Sequence, residues 1–204
     1  MIAMIDSIKS LKWVDLFFYI LVDSRSLANI IVQEKKLSLY TGFIIIALVS
    51  IIEIITFSLF GHETQFFFYK ISYGCIFLFL ILSLGVIIYS SLIDLFLQFR
   101  GLSGNVNQIL NLINCSLFIY LFLLPFTYIF KVLNFAPVFF YILFFGILIV
   151  WQSLIVIQGI SEFHRISFAE SMLAFLFPFL LCGVVFFFSF ILILIISIGF
   201  FSSI

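Results

Sequence analysis

Five long runs of apolar residues constrain this chain more than any other feature in it, at about 38–60, 72–97, 109–130, 135–157 and 172–200. Hydrocarbon about 30 Å thick takes roughly 20 helical residues to cross. Inside it each backbone N–H and C=O must be satisfied by the protein itself, which leaves only helices and closed barrels. Barrel strands are shorter and alternate in polarity, so runs this long and continuous are helical. The last run is long enough to tilt, or to form two short pieces around Pro178. Composition agrees: 66% of the 204 residues are apolar and 9% charged, against about a quarter charged in a soluble domain. The expected fold is an all-α polytopic membrane bundle of five transmembrane helices over 37–204. Short amphipathic interfacial helices in 1–36 precede it.

That first segment has a different texture. Ile2, Ile5, Ile8 and Leu11 recur at helical spacing, with Asp6, Lys9 and Lys12 on another face. The apolar stretch Leu16 to Val22 is too short to span. After it, Asp23 or Ser24 can cap a helix that puts Leu27, Ile30 and Ile31 on one face and ends at Lys35 and Lys36. Two short helices along the cytoplasmic membrane surface fit this pattern. A signal peptide does not, because no small-residue cleavage site follows Val22.

Orientation follows from the basic residues of the connecting loops. Lys9, Lys12, Arg25, Lys35, Lys36, Arg100 and Arg165 fall on one side, and only Lys70 and Lys131 on the other. Basic loops stay in the cytoplasm, so the N-terminus is expected inside and, after five crossings, the C-terminus outside.

The catalogue of chemistry is short. Cys75, Cys115 and Cys182 lie inside predicted spans with no C-x-x-C pairing, and read as small apolar groups. His62 and His164 fall in loops on opposite sides and cannot share a metal ion. No G-x-S-x-G, P-loop or H-E-x-x-H motif occurs. The sequence therefore offers no catalytic, cofactor-binding or metal-binding residue, and nothing for nucleic acid.

Ionisable residues within spans are a better lead, since each costs about 2.5–3.5 kcal/mol at the middle of the membrane. Glu53 and Asp94 qualify. Asp94 lies about one turn from the cytoplasmic end, where Arg100 or Arg165 can pair with it as a structural clamp. Glu53 lies towards the outer leaflet, with Lys70, Tyr73 and Tyr128 as candidate neighbours. It reads either as a neutral acid hydrogen-bonded between helices or as a titrating transport residue. The apolar middles of the spans and the absence of internal repeats favour the first reading.

Two polar turns face the cytoplasm. In QFRGLSGNVNQ, Gly101 and Gly104 permit unusual backbone angles and Ser103 or Asn105 can cap the next helix. In GISEFHRISFAES, Gly159 can stop one helix, while Ser167 and Glu170 can form a capping box for the next.

These turns carry a resemblance. The run RGLSGNVNQILNLINCSLFIYLFLLP, with its glycine turn, polar helix start and later Pro125, is similar to the pattern of the Yip1-domain membrane proteins. The run IVWQSLIVIQGISEFHRISFAESMLAFLFP resembles that family's second block, with Trp151 at the cytoplasmic end of span four, Gly159 eight residues on, and the entry Ser167-Phe-Ala169-Glu170. The segment DSRSLANIIVQEKK resembles the amphipathic stretch before span one, without the proline often found there. The resemblance implies five spans, a cytosolic N-terminus and no catalytic residues. The short N-terminal region looks like the bacterial members, placed in the cell inner membrane.

The expected function is a non-enzymatic membrane adaptor or accessory subunit, without cofactor, that organises membrane assemblies, trafficking or a transporter. Its partners are the lipid bilayer and other integral membrane proteins, among them a transporter or a second copy of itself. The alternative is a small ion or lipid carrier in which Glu53 titrates.

Overall fold

The computed structural model describes residues 13–33, 39–59 and 67–202. The stripe Ile2, Ile5, Ile8 and Leu11, the pair Lys35 and Lys36, and His62 lie outside them. Every regular element among the described residues is helical. A short pair, α1 (Trp13–Val22) and α2 (Ser24–Gln33), precedes α3 (Leu39–Ser58) and α4 (Phe67–Phe99). The third long run consists of α5 (Val106–Ser116), a 3-10 segment (Leu117–Phe122) and α6 (Leu123–Val132). Then follow α7 (Pro137–His164) and α8 (Phe168–Ser202). Five stretches are long and apolar enough to cross a membrane: Tyr40–Ser58, Ile71–Phe99, Val106–Val132, Pro137–His164 and Phe168–Ile193. The chain is a multi-pass membrane bundle.

Two helix ends differ from expectation. Gly159 does not stop α7, which continues to His164 and ends with Arg165 in the left-handed region at φ 51°. Gly159 is buried inside the helix, where a Cβ would collide with the Leu112 side chain of α5. It serves close packing instead of termination. The longer helix also leaves Trp151 in the middle of α7, 37% exposed on its outer face, and not near the end of the helix at His164.

The prolines behave unequally. Pro178 sits within one continuous α8, so the last run is not two pieces. The interruption falls instead in the third run, just ahead of Pro125. Proline has no amide hydrogen and its ring crowds the carbonyl four residues back, here Leu121. The 3-10 turns of Leu117–Phe122 carry the chain into that position with i→i+3 bonding.

The interrupted third span is the centre of the bundle, touching α2, α3, α4 and α7. Lipid tails are as apolar as leucine, so helices within a membrane are not driven together by hydrophobicity; close approach and hydrogen bonds decide. Glycines supply the approach. A Cβ on Gly42 of α3 would strike the Asn114 amide, one on Gly159 would strike Leu112, and one on Gly74 would lie 3.2 Å from Ile54.

The short pair is docked on this centre. Asp23 accepts hydrogen bonds from the Ser26 amide (3.2 Å) and hydroxyl, capping α2 as expected. Leu27, Ala28 and Ile31 of α2 are buried, and the helix packs on α5 and α7. Phe17 of α1 packs on Phe118 and Phe122 at ring separations of 5.4 and 5.5 Å, level with the 3-10 segment. At about 1.5 Å per residue, that contact lies well down the third span from its start at Val106. The pair therefore reaches along the third span, past the end at which α5 begins.

The last helix is held differently. Ser171, Ala174 and Pro178 are buried and Phe175 half-buried, an i, i+3, i+4, i+7 stripe facing α4 and α7. From Leu180 to Phe190 residues on all faces of the helix are exposed.

Candidate functional site

The polar residues gather in two layers. The first forms where the turns α4–α5 and α7–α8 meet at one end of the bundle. Arg100 and Leu102 of one turn, Ile166 of the other and Glu170 in the first turn of α8 line a single small cleft of about 110 Å³. Gly101 takes φ +77°, a conformation open to glycine, directly after α4 ends. Asn105 caps α5 by accepting from the Gln108 amide at 3.4 Å. The capping box of α8 is complete: Glu170 N–H donates to Ser167 Oγ at 3.3 Å, and Ser167 N–H donates to Glu170 Oε2 at 3.2 Å.

Asp94 lies beneath this turn, 2% exposed. The expected ion pair with Arg100 or Arg165 is absent among the described residues. Its Oδ2 accepts instead from Gln98 Nε2 at 2.7 Å, and Oδ1 has no hydrogen-bond partner there. Arg100 turns away to stand 5.7 Å from the centre of the Phe96 ring. Gly104 has its own reason to be glycine: a Cβ there would sit 2.8 Å from both Asp94 carboxylate oxygens and 2.5 Å from Gln98 Nε2. The turn is folded down onto the carboxylate, a packing constraint and not a backbone-angle one.

The second layer lies at the interruption of the third span. Tyr120 Oη donates to Gln152 Oε1 at 2.9 Å, and Gln152 Nε2 donates to Ser116 Oγ at 3.3 Å. Ser116 Oγ in turn donates to the Ile113 carbonyl at 2.7 Å. Glu53 of α3 lies in the neighbourhood of Tyr120 and Tyr141. Tyr73 and Tyr128 are 70% and 57% exposed, and the Lys70 side chain lies outside the described residues. Asn114 is fully buried nearby in α5, with neither amide atom hydrogen-bonded among the described residues.

Glu53 and Asp94 thus belong to separate layers, as their positions along the spans imply. Arg100, Gly101, Gly104 and Glu170 come together at the polar end, whereas Trp151 stands apart on the outer face of α7 beside Gly146 and Val150. Pro125 belongs to the second layer by shaping the backbone at Tyr120. Sequence reasoning missed Ser116, Tyr120 and Gln152 because it searched the spans for charges. An amide within IVWQSLIVI was the available signal. Cys115 is buried and Cys182 exposed on α8, both with free thiols. No group of three or more metal-binding side chains occurs among the described residues. The chain matches no protein-family model, no curated protein and no solved structure.

Proposed function

We propose that this chain is a non-enzymatic integral membrane adaptor or accessory subunit, of the Yip1-domain type that its sequence resembles. It assembles with other membrane proteins in a cell inner membrane, N-terminus in the cytoplasm and C-terminus outside. The observation that carries this reading is the fifth span, which docks on its own bundle through one short stripe and then leaves all faces uncovered from Leu180 to Phe190. Such a helix adds little to the packing of its own chain and offers a long surface to another. At the polar end, the two turns form one folded cap that presents Arg100 and Glu170 to the cytoplasm. The test is purification from the native membrane in mild detergent. A membrane protein should be recovered in stoichiometric amount and lost with Gly104→Val or Trp151→Ala. Recovery of the chain alone would count against an adaptor.

A second reading, a small ion or lipid carrier, gains from the second layer. Interrupted helices with polar groups at one depth are the places where carriers bind their cargo. Here Ser116, Tyr120 and Gln152 gather at a 3-10 break, with Glu53 in the neighbourhood. This reading requires Glu53→Gln to abolish proton- or cation-linked flux in proteoliposomes while leaving assembly intact. An adaptor requires that variant to be mild.

A further inference from the structure

Beyond Pro178, the last helix leaves a wedge against α4 and α7. Ile81, Gly85 and Tyr89 of α4, Ile149, Gln152 and Ser153 of α7, and Phe179 of α8 are among its walls, with Ile113 of α5 at the back. Its volume is about 550 Å³, within the roughly 300–1,000 Å³ of small-molecule sites. We propose that this wedge binds one acyl chain of a membrane lipid.

The hydrogen-bonding inventory selects the ligand class. Tyr89 Oη donates to the Phe175 carbonyl at 2.6 Å, and Ser153 Oγ to the Ile149 carbonyl at 2.8 Å. Gln152 uses its oxygen on Tyr120 and its nitrogen on Ser116. The polar groups in the walls are therefore already engaged, and among the described residues no carboxylate or basic side chain lines the wedge. A peptide strand would bring backbone groups with nothing to satisfy them. A helix about 10–12 Å across, with a pitch of 5.4 Å, would fill the space with little more than one turn. A flexible hydrocarbon chain needs no polar partner and fits the volume.

The wedge is also more than a lipid-facing surface. Its end towards the polar turns is closed by aromatic rings. Tyr89 lies 5.7 Å from Phe175 and 5.4 Å from Phe179, and the Tyr89–Phe175 hydrogen bond ties α4 to α8 at that point. Gly85 faces the space with nothing within 4 Å of an added Cβ. A chain entering from the opposite end would run past Gly85 and stop on the rings. It would fill the gap beside α8, and this role is independent of the adaptor reading.

The experiment places the full chain in phosphatidylcholine nanodiscs doped with a phosphatidylcholine that carries a diazirine in its acyl chain. Irradiation is followed by peptide mapping. Adducts should concentrate on residues 81–89, 149–156 and 175–179, and unlabelled lipid should compete for them slowly. Gly85→Phe, which fills the wedge from α4, should lower that labelling about tenfold or more. Ser153→Leu, from the α7 wall, should do the same. Labelling of 184–190, which faces bulk lipid, should not change and serves as the internal reference for labelling efficiency. Equal labelling density in the wedge and on 184–190, or wedge adducts indifferent to both variants, would overturn the proposal. So would contacts between two copies mapped to the wedge in place of lipid adducts.

Discussion

The third and fifth spans are written in nearly the same alphabet of phenylalanine, leucine and isoleucine, yet the fold treats them in opposite ways. Within its most apolar 18-residue stretch the third is 61% buried in the bundle, and the fifth 6%. The third is interrupted near Pro125 and surrounded by neighbours; the fifth runs unbroken through Pro178 and departs. Apolarity cannot make this choice, because lipid accepts either helix equally well. What differs is the set of small and polar groups. The third span carries Asn111, Asn114, Ser116 and Tyr120 and receives Gly42 and Gly159 against its backbone-proximal side chains. After Pro178, the fifth has only Cys182, Gly183 and Ser189 before residue 190, and a Cβ on Gly183 would meet nothing within 4 Å.

Paired substitutions sharpen the contrast. The largest effect should come from Gly159→Val, whose Cβ would overlap the Leu112 methyls. A loss of about 3 kcal/mol, at the upper end for overpacking, should appear as a lower thermal unfolding midpoint in detergent. Gly183→Val in the fifth span should leave the midpoint unchanged. Equal losses from the two would break the comparison. Next in size is Gln152→Leu, which removes the partner of Tyr120 and of Ser116. An orphaned hydroxyl within the bundle costs about 2 kcal/mol, read by the same unfolding assay. Ser189→Ala, which removes only a bond to the Val185 carbonyl of its own helix, should fall within about 0.5 kcal/mol of the parent.

Smaller effects belong to the helix starts. Ser167→Ala dismantles the capping box that positions the one docked stretch of the fifth span. About 1 kcal/mol is expected for a lost cap, seen as faster amide exchange at Glu170. Least of all is the cap of α2. The Ser26 hydroxyl and amide hold the Asp23 carboxyl below its ordinary range. A lowered pKa in the fold means that this contribution is present at neutral pH and is lost as pH falls through the lowered value. Exchange protection of the Ser26 amide should therefore persist at pH 5, fade in stronger acid, and show no such acid step in Asp23→Asn.

Much of the fold could be read from residue spacing alone. The spans, the Asp23, Asn105 and Ser167–Glu170 caps, and the left-handed Gly101 follow from local chemistry that neighbours in sequence complete by themselves. What escaped depends on partners distant along the chain. Gly159 looked like a helix stop until Leu112 stood against it, and Gly104 like a flexible turn until Asp94 lay beneath it. Asp94 suggested a cation and found an amide four residues away. In the second layer, Ser116 and Tyr120 of the third span and Gln152 of the fourth are single uncharged residues in apolar stretches, and only packing reveals that they meet. The site at the polar end was thus half legible; the mid-bundle one was legible only at Glu53.

The difference between the two spans can be tested most directly by a spin-label scan of oxygen accessibility in nanodiscs holding the isolated chain. Labels would be placed singly from 109 to 120 and from 179 to 190. The third span should show low accessibility, and the fifth uniformly high accessibility with no oscillation. A helical period of 3.6 residues along 179–190 in the isolated chain would mean that this stretch packs against its own bundle, and would contradict the account.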